Sequence, residues 1–382
     1  MTAVGEVERM KKILIVGGGI AGLAAARVLS SKGFSTTVVE KTQEWRPVGG
    51  GIYIPGNGVA ALDAIGLGEK ARLKGSVIDH RHIMSGKGKH LMRLDLEKVW
   101  GRPAPCLGIL RRDLHEILFD GLESVDVRLG TSITSFSQDE QGVDVTLNSG
   151  DVERYDLLIG ADGLNSSVRE LAMGKTPIRR VGDLCCRFVI ERPKNLNEWT
   201  LYAGKKSQFL MIPMTSSLAY VYVGGQSKEG DSLTEENFLD PFYDFPDPVS
   251  SICKSVDKND LIWSSLDELA PLDTWGNRRV VLMGDAAHAM PPFMAQGASL
   301  ALEDALIFGD VLSGQTDWSS AAETFTERRK SRVSWAIERN RRREKLTKIP
   351  YWVSSIGLKL VGEKTWIEDY SVLAKPLEME NE

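Results

Sequence analysis

At 382 residues the chain is long for one compact domain and ample for two bodies with proper cores. Its net charge of −5 comes from basic and acidic residues interspersed along the chain, which gives no nucleic-acid footprint, and no segment is long and apolar enough to span a bilayer. Four cysteines (Cys106, Cys185, Cys186, Cys253) lack metal-ligand or redox spacing, so reduced thiols and a cytoplasmic setting are expected.

Residues 1–10 read as a polar lead-in. The apolar stretch that follows resembles a signal peptide in hydropathy alone, because its glycines fall at dinucleotide spacing and Glu6 and Glu8 precede it. Ile13 to Val16 is a buried-strand run that stops at Gly17, and Gly19 and Gly22 complete GxGxxG as a helix opens near Ile20. The first glycine permits the turn, the second lets backbone N–H groups approach a pyrophosphate, and the third lets helix and strand pack closely. A second strand ends in Glu40, 21 residues after Gly19, where a carboxylate suits the hydroxyls of an adenosine ribose. This unit binds a dinucleotide and leaves FAD and NAD unseparated.

The glycine-dense loop Gly49 to Gly58 follows and leaves room for a flat ligand. Strands are then expected over Val77 to Met84 and His90 to Leu94, around Gly86-Lys87-Gly88. His80, His82 and His90 read as solvent-facing strand residues, and no metal site is expected. Leu107 to Leu122 has helical spacing, with Arg111 at the edge of the nucleotide fold. Short strands lead to Asp156 to Ile159, which ends in GADGLNSSVR and presents Asp162 as a second nucleotide contact.

From Thr176 the pattern becomes an antiparallel meander, with strands at Leu184 to Ile190, Trp199 to Tyr202, Ser207 to Pro213 and Leu218 to Gly224. Phe209, Met211, Tyr220 and Tyr222 alternate and are expected to share a face; with Pro292 and Phe293 they are the candidate substrate lining. Thr234 to Asp260 reads as helical. A last buried strand, Arg279 to Met283, ends in GDAAHAMPPFMAQGASLALEDA. Asp285 is placed at a strand end, and a helix opens at Gln296-Gly297 after the Pro291-Pro292 loop. His288 has no carboxylate at triad spacing and reads as structural. A basic helix over 319–345 and an apolar piece after Pro350 close the chain. That piece is expected to pack across the domains or against a second subunit.

Three strand-end motifs in order, GGGIAG, DGLNSSVR and GDAAHAMPP with AQG, resemble the single-component FAD-dependent aromatic hydroxylases of the para-hydroxybenzoate hydroxylase type. Locally the chain is most similar to the salicylate, 3-hydroxybenzoate and urate hydroxylases, and more distantly to the tetracycline-inactivating monooxygenases. The resemblance implies an α/β fold: a Rossmann-like FAD-binding domain (1–75, 101–175, 275–318), an inserted antiparallel-sheet substrate domain (76–100, 176–274) and a C-terminal helical segment (319–382). It implies that Gly17, Gly19 and Gly22 hold the FAD pyrophosphate, Glu40 the ribose, and Lys41 the adenine side, where relatives often carry arginine. Arg111 would touch FAD near its phosphates or ribityl chain, and Gly51 would lie in the loop beside the flavin. Asp162 would serve both FAD and NAD(P)H, and Asp285 the ribityl hydroxyls. The backbone of Gln296, Gly297 and Ala298 would face the pyrimidine edge. Gln208 falls near the substrate-binding arginine of the urate enzyme, which argues against urate.

The chemistry implied is hydroxylation of an aromatic or enol-like small molecule with NAD(P)H and O2 through a flavin hydroperoxide, with no catalytic side chain assigned. The expected assembly is a monomer or homodimer, with no nucleic-acid partner. A redox CxxxxC and a WxWxIP motif, marks of disulfide reductases and flavin halogenases, are absent. A non-hydroxylating FAD-dependent reductase or FAD-binding protein of the same fold stays open.

Overall fold

The computed structural model describes residues 10–45, 50–101, 105–225, 234–347 and 349–379, with only the backbone of Asp183. Lys12–Val16 is the centre of a six-stranded sheet, flanked by Leu157–Gly160 and Val280–Leu282 on one side and by Ser35–Glu40 and Asp126–Leu129 on the other. All of these neighbours run parallel; Gly276–Asn277 closes one edge antiparallel. Ile13, Leu14 and Ile15 are fully buried, as a parallel sheet covered on both faces requires. The helices Ile20–Ser31 and Gly297–Gly314 pack against one another, and Gly56–Ala64 packs on the second of them. The long helix Gly297–Gly314 is buried almost all round.

The second large sheet has seven strands in the order Ile262–Leu269, Ile178–Glu191, Leu218–Gly225, Ser207–Pro213, Trp199–Ala203, His80–Ser85 and His90–Asp95. Its pairs are antiparallel except Trp199–Ala203 with His80–Ser85, which is parallel. One face joins the main core. The other carries a separate core of Phe188, Phe209, Met211, Val221 and Val223 under Phe238, Phe242 and Val249. A small sheet of Gly51–Ile54, Cys106–Leu110 and Ser76–Ile78 lies between the two large ones, with Gly108 set against the Pro213 carbonyl.

Several elements differ from expectation. Leu107 to Leu110 is strand, because it pairs with Gly51–Ile54, and the helix begins only at Arg111. Thr234 to Asp260 is mostly turns, with one short helix, Val249–Ser255. Ile262–Leu269 is an edge strand that the meander pattern omitted, and it lengthens its partner to Ile178–Glu191. The apolar piece after Pro350 is the helix Tyr351–Tyr370, which packs on His90–Asp95. No helix among the described residues is long and apolar enough to cross a membrane.

Candidate flavin and substrate site

The glycine loop is shaped by contacts a side chain would break. Gly17 has φ of +108°, and a Cβ on Gly22 would stand 1.9 Å from the Gly17 carbonyl oxygen. Around Gly19 the opposite holds, since a Cβ there would meet no atom within 4 Å. The first-turn N–H groups of Ile20–Ser31 open onto that space without intrahelical partners. An open cradle lined by backbone donors fits a pyrophosphate. Glu40 is turned toward the loop, its carboxylate accepting from the Gly18 N–H at 2.9 Å and the Thr42 N–H at 3.0 Å. Lys41 is exposed. Trp45 and His115, which no sequence pattern singled out, pack ring against ring (4.7 Å) over Gly18, and His115 Nε2 lies 2.9 Å from the Gly18 carbonyl.

Two more strand ends converge here. The space beside Gly17 is closed by Ala161 and Asp162. Asp162 accepts hydrogen bonds from the Ser166 and Ser167 hydroxyls and from the N–H groups of Ser167 and Val168. Its carboxylate therefore caps the helix Ser167–Met173, which leaves little of it for a nucleotide. Arg169 ties this loop to the third one, donating to the carbonyls of Leu164 and Ala286.

Asp285 is exposed at the end of the strand Val280–Leu282, on the wall of the cleft. The protein crowding around it pushes its carboxyl upward, with His288 and Arg111 opposing. Gly297 lies against Asp285, so the N-terminus of an 18-residue helix faces the same space. Reduced flavin carries negative charge along one edge, and a helix N-terminus suits it. Gln296 turns its side chain away, pairing both ways with Asn57 (2.9 and 3.2 Å), and so offers only backbone to the cleft.

Beneath these loops lies a buried network. Glu303 and Asp304, adjacent on Gly297–Gly314, divide the work. Asp304 accepts from the Gly284 N–H (2.9 Å) and sits 2.7 Å from His288 Nε2, which fixes the Asp285 loop. Glu303 accepts from Asn57 (2.8 Å) and through it holds Gln296. Arg329 bridges both acids at 2.9 and 2.8 Å, and Arg332 adds a second cation to Glu303. Burial drives the Asp304 carboxyl up, but His288, Arg329 and the Gly284 N–H outweigh it and hold it at about 2. His288 thus does have a carboxylate partner, 16 residues on and one helix away.

Register decides the substrate wall. Leu210 pairs with Tyr222 and Ile212 with Tyr220, while Phe209 pairs with Val223 and Met211 with Val221. Tyr220 packs against Gly51 and feels both Arg111 and Arg187, so its row faces the cleft. Phe209 and Met211 project from the opposite face into the second core, which removes them from the expected lining. Pro292 is exposed and Phe293 half-buried beside the cleft, in the turn Pro292–Met294. Gly49, at the start of the glycine-dense loop, lies outside the described residues.

Residues 10–340 match the profile of a family described as FAD binding domain. The chain is 32% identical over 350 residues to the 2-heptyl-3-hydroxy-4(1H)-quinolone synthase of Pseudomonas aeruginosa, covering 86% of this chain and 88% of that one. It is 32% identical over 342 residues to the 3-hydroxybenzoate 6-hydroxylase 1 of Aquipseudomonas alcaligenes, covering 84% and 86%. The fold superposes on a crystal structure of Klebsiella pneumoniae HpxO complexed with FAD and uric acid with a TM-score of 0.87, at 23% identity, over 96% of this chain and 98% of that one.

Proposed function

The chain belongs to the FAD-binding-domain family and is an FAD-dependent monooxygenase of the aromatic-hydroxylase kind, and from that premise we propose that its substrate lies between the Tyr220–Tyr222 sheet face and the Pro291–Pro292 loop. The observation that carries this reading is the convergence of three strand-end loops beside a sheet face on which Leu210, Tyr222 and Arg187 are half-buried and Tyr220 is buried against Gly51. FAD, when bound, would supply the redox chemistry by which NAD(P)H and O2 are consumed, one oxygen atom entering an aromatic or enol-like carbon and the other leaving as water.

The chain's own residues position and seal. Gly19 and the first-turn N–H groups would hold the pyrophosphate, Glu40 the ribose and Asp285 the ribityl hydroxyls. Arg111 would neutralise charge at the cleft edge. The Gly297 helix end would favour negative charge on the reduced ring. Asp162 acts by shaping its loop. Phe293 and Tyr220 would exclude water from the reacting centre. The substrate body is assigned to 76–100 and 176–274, and the enzyme to the cytoplasm.

The test is direct. Protein purified with FAD should oxidise NAD(P)H slowly alone and faster with a phenol or quinolone from a small panel, with a product that gains one oxygen by mass. Protein that never takes up FAD, or that only releases peroxide with every member of a broad panel, would refute the assignment.

A further inference from the structure

The turn Pro292–Met294 is held from outside by the C-terminal helices. Three of its backbone groups end on side chains from them: the Phe293 carbonyl accepts from Arg343 (3.3 Å), the Met294 N–H donates to Asn340 (3.1 Å) and the Met294 carbonyl accepts from Tyr370 (3.1 Å). Asn340 and Arg343 stand on Ala321–Thr347, and Tyr370 is the last residue of Tyr351–Tyr370. Met294 is fully buried, so water cannot replace these partners. The next residue, Ala295, has φ of +51° and ψ of +38°, the left-handed region that a Cβ disfavours. Among the described residues only Arg278 shares a positive φ without being glycine. Gln296 and Gly297, where the long helix opens beside Asp285, follow directly.

The Tyr370 hydroxyl is a junction whose proton has one place to go. It lies 3.4 Å from an Arg81 nitrogen and 3.4 Å from an Arg343 nitrogen. A guanidinium only donates, so both lone pairs of the phenol are taken and its proton points to the Met294 carbonyl. Arg81 belongs to the strand His80–Ser85 of the large antiparallel sheet and also donates to Tyr53, on the strand Gly51–Ile54. Asp369 anchors the same helix end through Arg342 and Arg343. One hydroxyl thus joins the antiparallel sheet, the C-terminal helices and the backbone that precedes a strained alanine. Packing against Trp100 and Trp366 needs only the ring; the hydroxyl serves the turn. Backbone in a disfavoured conformation persists where its surroundings over-determine it, and such strain clusters at functional sites.

We propose that Tyr370 and Asn340 are positioning residues of the oxygenation reaction, clamping Met294 so that left-handed Ala295 aims the Gln296–Gly297 helix end into the cleft. This rests on the monooxygenase reading above. Free N–H groups at a helix end stabilise an anion most when they are fixed before the charge arrives. Both side chains act through the turn, and the C-terminal helices become part of the working cleft.

The experiment measures the midpoint potential of FAD in the loaded protein by equilibration with reference dyes, without substrate. Tyr370→Phe removes one oxygen atom and keeps the ring. With the helix end no longer fixed, the ratio of reduced to oxidised FAD at a set potential should fall about tenfold, a drop of about 30 mV for a two-electron couple. Asn340→Ala should shift the potential the same way, and the double variant should shift it by less than the sum, because both side chains hold one residue. Tyr155→Phe is the control, since that hydroxyl donates to Glu153 at 2.6 Å in a separate three-stranded sheet; its Tm should fall while the potential stays. FAD content measured on each variant checks folding, and if Tyr370→Phe holds no flavin, Asn340→Ala decides. Potentials equal to the parent's, a double variant whose shift is the simple sum, or an equal shift in Tyr155→Phe each overturn the proposal and leave the monooxygenase reading standing. A parent protein that holds no FAD sinks both.

Discussion

A methyl group added at Gly22 would meet backbone that cannot withdraw, whereas one at Gly19 would meet no protein atom within 4 Å. Gly19 has φ of −79°, which any L-residue adopts, so Gly19→Val should fold with an apoprotein Tm near that of the parent and still fail to retain FAD. Gly22→Val should lose both. Equal FAD content in Gly19→Val and the parent would show that the pyrophosphate lies elsewhere. Asp285 gives a trade between stability and function. A carboxyl whose folded-state value is raised destabilises the fold once pH exceeds its unfolded value, and the penalty grows as pH rises toward the folded one. At neutral pH, Asp285→Asn should therefore raise the apoprotein Tm while weakening FAD retention and increasing peroxide release per NAD(P)H. An unchanged or lowered Tm would mean the crowding is harmless.

The helix Gly297–Gly314 holds the Asp285 loop through Asp304 and the Gln296 loop through Glu303, and Ala321–Thr347 holds both acids through Arg329. Arg329→Met would strand two buried carboxylates and should cost about 3–5 kcal/mol, read from denaturant unfolding. Asp304, depressed to about 2, contributes stability that is fully present above roughly pH 4 and is lost as pH falls toward 2. Asp304→Asn should flatten the Tm profile across that window; an identical slope would deny the network its acid sensitivity. Local pattern made the parallel sheet and its three loops legible, because strand, glycine and acid are contiguous there. It did not reach what pairing decides. Leu107 to Leu110 carries helical spacing yet is strand, through its pairing with Gly51–Ile54. Phe209 and Tyr220 each alternate correctly within their strands, but the offset that separates their faces exists only in the pairing. His288 and Asp304 meet across two helices, and Trp45 and His115 meet over a glycine, with no spacing to announce either.

At the scale of the whole molecule, the sheet that offers Tyr220 touches the strand that offers Gly51, so a ligand on one side can act on the other. Flavin reduction by NAD(P)H is expected to be slow alone and steeply faster with a verified substrate. Stopped-flow traces that coincide with and without substrate would dismiss such gating. The order of the strands also constrains how the chain comes into being. Lys12–Val16 pairs with Leu157–Gly160, which in turn pairs with Val280–Leu282, and the meander lies between those last two in sequence. A ribosome making this protein therefore exposes the nucleotide loop early and the Asp285 loop and the yoke of acids beneath it late, so the Leu157–Gly160 edge has no parallel partner until residue 282 has emerged. Cofactor capture becomes a late event in synthesis, and a riboflavin-starved cell would accumulate finished but colourless chains rather than stalled fragments.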